Sequence, residues 1–132
     1  MNKNIEFAFQ WLKKADNDIV TAKQTFLLPD GPIDTVCFHT QQAVEKALKA
    51  LLTFHNMPFP KIHELLRLLD MAVPFLPELE EFRENFAEMS NYAVEVRYPS
   101  DYLEPTRDDA SKSINIADEV LKKVRHEMNK IS

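Results

Sequence analysis

Glycine is almost missing from this chain. Among its 132 residues there is one, Gly31. Loops that cradle phosphate need several glycines, so that backbone N–H groups can approach the ligand closely. Walker-type and dinucleotide-binding sites are therefore excluded, and so is the Gly-Ser signature of a nucleotidyltransferase active site. Cysteine is as scarce: Cys37 stands alone, so no disulfide can form within the chain. No stretch approaches the roughly 18–20 apolar residues of a membrane span. The N-terminal MNKNIEFAFQWLKKADNDI has neither a long apolar run nor a small-residue cleavage site, which reads as no signal peptide and a cytoplasmic protein. Net charge is −5, which argues against a general nucleic-acid binder. None of His39, His55, His63 and His126 has a partner at metal-ligand spacing, so neither metal nor cofactor is expected. No strand-like alternation is convincing, and there is no internal repeat.

Proline, in contrast, is plentiful and orderly. Pro29 and Pro32, Pro58 and Pro60, Pro74 and Pro77, and Pro99 and Pro105 cut the chain into five segments, 1–28, 33–57, 61–73, 78–98 and 106–132. Proline does not continue a helix beyond its first turn. Each segment has a helical period. Ile5, Ala8, Leu12, Ala15, Ile19 and Ala22 recur at three- and four-residue steps, as do Leu79, Phe82, Phe86, Met89, Ala93 and Val96. YAVEV, 92–96, continues the latter stripe and reads as helix. Thr106 followed by Asp109 resembles a capping box. The expectation is one all-α domain over residues 1–132, a bundle of four main helices and one short one.

The stretch CFHTQQAVEKALKALL, 37–52, is unusual. At 100° per residue its alanines, leucines, Val44 and Cys37 cover an arc of about 200°. His39, Gln42, Lys46 and Lys49 share the opposite face, read as solvent-exposed. Gln41 and Glu45, one turn apart, fall within or at the edge of the apolar arc. A buried carboxylate needs partners. Gln41 could donate to Glu45, and Arg97 is the leading candidate for its cation. Two readings stay open: Glu45 at a wet edge of the core, or a polar network. His63 opens a helix and fits a structural role, bonding across the bundle or capping a helix end. Asp16 and Asp18 form a D-x-D that, on a helix, reads as a solvated face. Phe7, Phe9 and Trp11 point in different directions, so one core cannot bury all three. An exposed aromatic patch marks a subunit interface, and a homodimer is expected.

The segments WLKKADNDI, CFHTQQAVEKALKALL, KIHELLRLL and VRYPSDY, in this order, resemble the HEPN domains (higher eukaryotes and prokaryotes nucleotide-binding) over nearly the whole chain. The resemblance implies an up-and-down four-helix bundle with a short extra helix, frequent dimerisation and, for many members, a minimal nucleotidyltransferase partner. Family members that cleave RNA use an arginine followed four to six residues later by histidine. Arg97 matches the arginine, but Tyr102, Leu103 and Glu104 stand where the histidine belongs. Catalysis is therefore not expected. The resemblance implies a non-catalytic module that binds a nucleotide or a nucleotidyltransferase, as in a toxin–antitoxin-like pair. Arg97, Lys46 and Lys49 would offer charge to phosphate, Tyr98 and Tyr102 would stack on a base, and Gln42 and His39 lie beside the lysines. The alternatives are an RNA-cleaving toxin with an atypical site around Arg97, and a purely structural oligomerisation module.

Overall fold

The periodic segments do become helices. The computed structural model describes residues 3–92 and 104–130. Within them run α1 (Lys3–Leu27), α2 (Ile33–Phe54), α3 (Leu65–Ala72), a 3-10 helix (Pro77–Phe82) continuing into α4 (Arg83–Tyr92), and α5 (Arg107–Asn129). The molecule is an all-α bundle, and no strand occurs among the described residues. Proline placement decides the breaks. The expected long fourth helix differs at its start, where Pro77 opens a 3-10 turn before α4, in keeping with its fixed φ and missing N–H. Residues 93–96 of the expected stripe lie outside the described residues. The capping box at α5 is complete: Thr106 Oγ1 accepts from the Asp109 N–H at 3.0 Å, and Asp109 accepts from the Thr106 N–H at 2.8 Å.

Helix α2 is the centre of the bundle. It packs against α1, α3, α4 and α5. Leu48, Leu51 and Leu52 are fully buried and share one core with Leu12, Leu65, Leu68, Leu79, Phe86, Val120 and Val124. A smaller cluster of Ala22, Val36, Cys37, Ala110 and Ile114 closes the end near the α1–α2 turn. Being surrounded, α2 has no broad solvent face, and this overturns the simple wheel reading. Lys49 is buried, while His39, Gln42 and Lys46 are half-buried.

Two turns set the course of the chain around α2. The helix ends in a Schellman motif, with the Met57 N–H bonded to the Leu52 carbonyl at 2.8 Å and the Asn56 N–H to the Thr53 carbonyl at 3.0 Å. Asn56 takes φ 57°, a left-handed conformation that asparagine tolerates. The chain thus reverses and carries Phe59 and His63 back along α2. At the α1–α2 turn, the Gly31 N–H bonds to the Leu28 carbonyl at 3.0 Å. A Cβ on Gly31 would fall on the Thr25 carbonyl oxygen, a rigid backbone atom. Gly31→Ala is therefore expected to destabilise the fold by about 1–3 kcal/mol, as overpacking does. Urea denaturation of the variant beside the parent measures this, and an unchanged midpoint would refute the close approach.

Candidate functional site

The polar residues of α2 are placed by its central position. Glu45 projects into the bundle with its side chain 3% exposed. Its partners come from two directions. Lys49, one turn further along α2, brings Nζ to 3.0 Å from Glu45 Oε2. His63, delivered by the reversal after α2, sets Nδ1 at 3.0 Å from the same oxygen. A carboxylate only accepts hydrogen bonds, so Nδ1 carries a proton and donates it. The other oxygen, Glu45 Oε1, is buried and has no hydrogen-bond partner among the described residues. Lys49 Nζ also lies 5.5 Å from the Trp11 ring centroid and 5.9 Å from that of Phe59, within cation–π range. The ammonium is thus enclosed by one carboxylate and two aromatic faces.

The geometry gives Glu45 a cation that the wheel reading did not. Among the described residues its cation is Lys49, which the wheel had assigned to the solvent face, and Arg97 lies outside the described residues, as do Tyr98 and Tyr102. Glu45 is not at a wet edge. Gln41 is buried too, but it accepts from Gln42 Nε2 at 2.9 Å, and no Gln41–Glu45 bond is present among the described residues. The Glu45–Lys49 spacing of four, with the acid first, is the favourable order for a helical ion pair, so the pair was readable in the sequence. Its burial was not.

A second cluster lies on the α1 side of α2. Asp18, with its side chain 12% exposed, accepts from Lys46 Nζ at 2.5 Å and from His39 Nδ1 at 3.0 Å. Asp18 is therefore no solvated residue, whereas Asp16 turns towards α5 and meets Arg125 Nη2 at 2.5 Å. Positions i and i+2 face apart, as expected on a helix, but both faces have neighbours. His55 differs from the other histidines. Its ring stacks on Phe75 at 4.4 Å, and Nε2 is buried without a partner.

The aromatics of α1 do not form a single exposed patch. Phe7 is half exposed, while Phe9 and Trp11 pack against the core. Phe9 meets Phe54 edge-on at 6.4 Å.

A small, partly open cavity of about 20 Å³ lies elsewhere, between α2, α4 and α5. Cys37, Met89, Ser113 and Ile116 line it, with Glu88 and Lys112 paired at 3.3 Å. Thr40 donates to Ser113, which donates to the Ala110 carbonyl. Burial pushes the Cys37 thiol up to about 11, so it is a protonated, unreactive packing group near neutrality. Among the described residues, the expected ligand residues Lys46, Lys49, Gln42 and His39 do not line it. No group of three or more His, Cys, Asp or Glu residues among the described residues is placed to hold a metal ion. No described helix is long and apolar enough to cross a membrane.

An all-α bundle with a polar centre of this kind defines a class rather than an activity, and comparison with known proteins narrows it. The HEPN domain family matches residues 8–127. The chain belongs to that family. It is 27% identical to the protein named "Putative toxin MJ1304" of Methanocaldococcus jannaschii, over 92% of this chain and 88% of that one. Among solved structures it resembles ST0689, described as an archaeal HEPN homologue, with 26% identity and a TM-score of 0.71, covering 92% of this chain and 97% of that one. It also resembles TT1696 from Thermus thermophilus, with 28% identity and a TM-score of 0.75, covering 96% of this chain and 99% of that one.

The buried pair makes a stability test direct. Removing one partner of a buried ion pair strands the other charge, so Lys49→Met is expected to cost about 3–5 kcal/mol. Glu45→Leu combined with Lys49→Met removes both charges and should cost clearly less than the two single changes added together. Urea denaturation of the four proteins gives the coupling energy, and strictly additive losses would refute the pair.

Proposed function

We propose that this chain is a non-catalytic HEPN module and the toxin-like half of a two-protein pair. It works by binding a minimal nucleotidyltransferase, with a nucleotide as a second ligand. One combination carries the reading. The chain is alike over nearly its full length to a relative named as a toxin, yet Tyr102, Leu103 and Glu104 stand where Arg97 would need a histidine. Cleavage of RNA requires a proton to be taken from one oxygen and given to another, and at that spacing the chain has no imidazole.

The lysines of α2 support a protein partner over a phosphate gripped by α2 itself. Lys46 is paired with Asp18 and Lys49 with Glu45. Phosphate recognition then falls to Arg97, with Tyr98 or Tyr102 stacking on a base, and Lys46, Gln42 and His39 at the margin. Exposed Phe7, Val20, Leu27 and Leu28 offer apolar surface for association, and a homodimer is part of this proposal. The toxin name of the relative keeps a second reading in play, in which Arg97 acts in RNA cleavage with an atypical second group such as Tyr102.

Co-expression with a small nucleotidyltransferase carrying Gly-Ser and D-x-D signatures tests the pairing. A complex that survives size-exclusion chromatography is expected, and calorimetry with ATP, GTP and their monophosphates at millimolar concentration should give heat. Absence of both would overturn the proposal. RNA cleavage by the parent protein, lost in Arg97→Ala, would establish the second reading instead. Sedimentation of the chain alone should give a dimer, and a 15.4 kDa monomer at micromolar concentration would refute self-association.

A further inference from the structure

The four histidines have four different settings. His55 is stacked and its Nε2 is buried. His126 is exposed on α5 with no partner at its ring among the described residues. His39 is anchored through Nδ1 to Asp18 but half-buried. His63 alone combines anchoring with exposure: its side chain is 78% exposed, and its Nδ1 is bonded to a carboxylate that is 3% exposed. Because the Nδ1–H donates its hydrogen bond to Glu45, the neutral ring keeps its lone pair on Nε2. The anchored nitrogen faces the core, so Nε2 faces solvent.

The way Glu45 spends its oxygens argues against bundle packing as the whole account. A carboxylate buried for stability alone gains most by satisfying both oxygens. Here Oε2 receives both Lys49 and His63, while Oε1 has no partner among the described residues. The same Lys49 charge sits against Glu45 inside the bundle, so a positive charge developing on the His63 ring would have the carboxylate at its back.

The surroundings suit an anionic group arriving at Nε2. His63 lies one residue before Glu64, the N-cap of the eight-residue helix α3, and Glu64 makes no side-chain capping bond. Among the described residues no side chain caps the N–H groups of the first turn of α3, which carry the positive end of the helix dipole. Lys61 and Arg67 are exposed on either side, and the one opposing charge on this segment is the exposed Glu64 itself.

We propose that His63 Nε2 is a nucleophilic acceptor of phosphoryl groups from small donors of the phosphoramidate or acyl-phosphate class. The Nε2 lone pair forms a bond to phosphorus as the bond from phosphorus to the donor's leaving atom breaks. With phosphoramidate, ammonia leaves with the electron pair of the broken P–N bond. The ring keeps its Nδ1 proton, and the positive charge it acquires faces Glu45. The site is independent of Arg97 and of the nucleotidyltransferase reading.

Phosphoramidate is the probe. The full-length protein is incubated with it, and the phosphorylated histidines are located by peptide mass mapping. His63 is expected to react about tenfold faster than His126, and Glu45→Gln is expected to remove about that factor, the lower end of the roughly 10- to 100-fold losses found for carboxylates behind metal-binding imidazoles. Circular dichroism checks that the variant is folded. Should Glu45→Gln fail to fold, heteronuclear NMR of the parent imidazoles decides: the proposal requires the Nδ1–H tautomer at His63 and not at His126. Equal rates at His63 and His126, a folded Glu45→Gln that reacts as fast as the parent, or an Nε2–H tautomer at His63 would each overturn it.

Discussion

The polar centre of this bundle is arranged around one constraint: α2 is enclosed by four other helices, yet it carries a carboxylate and an ammonium in its buried part. Taking two charges out of water costs several kcal/mol each, and their attraction offsets this only where geometry and further hydrogen bonds cooperate. The structure meets that demand locally. Lys49 comes from the same helix, so its distance to Glu45 is set by helical geometry and not by how other elements dock. Trp11 from α1 and Phe59 from the loop after α2 then close over the ammonium. Both α1 and that loop therefore pack directly against the ion pair.

A like arrangement recurs further along the α1–α2 seam. Asp18 on α1 holds both Lys46 and His39 of α2, so α1 and α2 are joined by leucine packing on one side and by charge on the other. Both clusters follow one scheme, in which a shielded carboxylate is shared between a lysine and the Nδ1 of a histidine. They differ in what is left over. At Asp18 the imidazole is partly covered by the bundle. At Glu45 it is presented to solvent, because His63 stands on a loop ahead of α3 and not on a packed helix.

The helices themselves were legible. Proline positions gave the breaks within a few residues, the Thr106–Asp109 spacing gave the cap of α5, and the apolar periods gave the core leucines. The site was legible only in pieces. A helical wheel assumes one buried side and one wet side, and a helix surrounded by neighbours has no wet side to which Lys49 could be assigned. The Glu45–Lys49 spacing was visible but compatible with a surface pair, since burial depends on Trp11 and Phe59, distant in sequence. Likewise the KIHELLRLL segment suggested a helix starting near His63, whereas α3 begins at Leu65. That two-residue difference frees the imidazole to turn back to α2.

Why the bundle keeps charge at its centre is the remaining physical question. Replacing a buried ion pair by hydrophobic residues of similar volume is often neutral or stabilising, and the neighbours of Glu45 on α2 are already leucines and alanines. Helix α2 does not need this pair in order to be helical or buried. What the pair supplies, and an apolar substitute would not, is an acceptor at a fixed point for the His63 N–H. A leucine at 45 would leave the imidazole on an uncapped loop with no orientation, and a lone carboxylate without Lys49 would leave a stranded buried charge. The lysine makes the carboxylate tolerable, and the carboxylate orients the imidazole. That dependence runs from the buried ammonium outward to an exposed imidazole, and so ties the polar centre of the bundle to its surface.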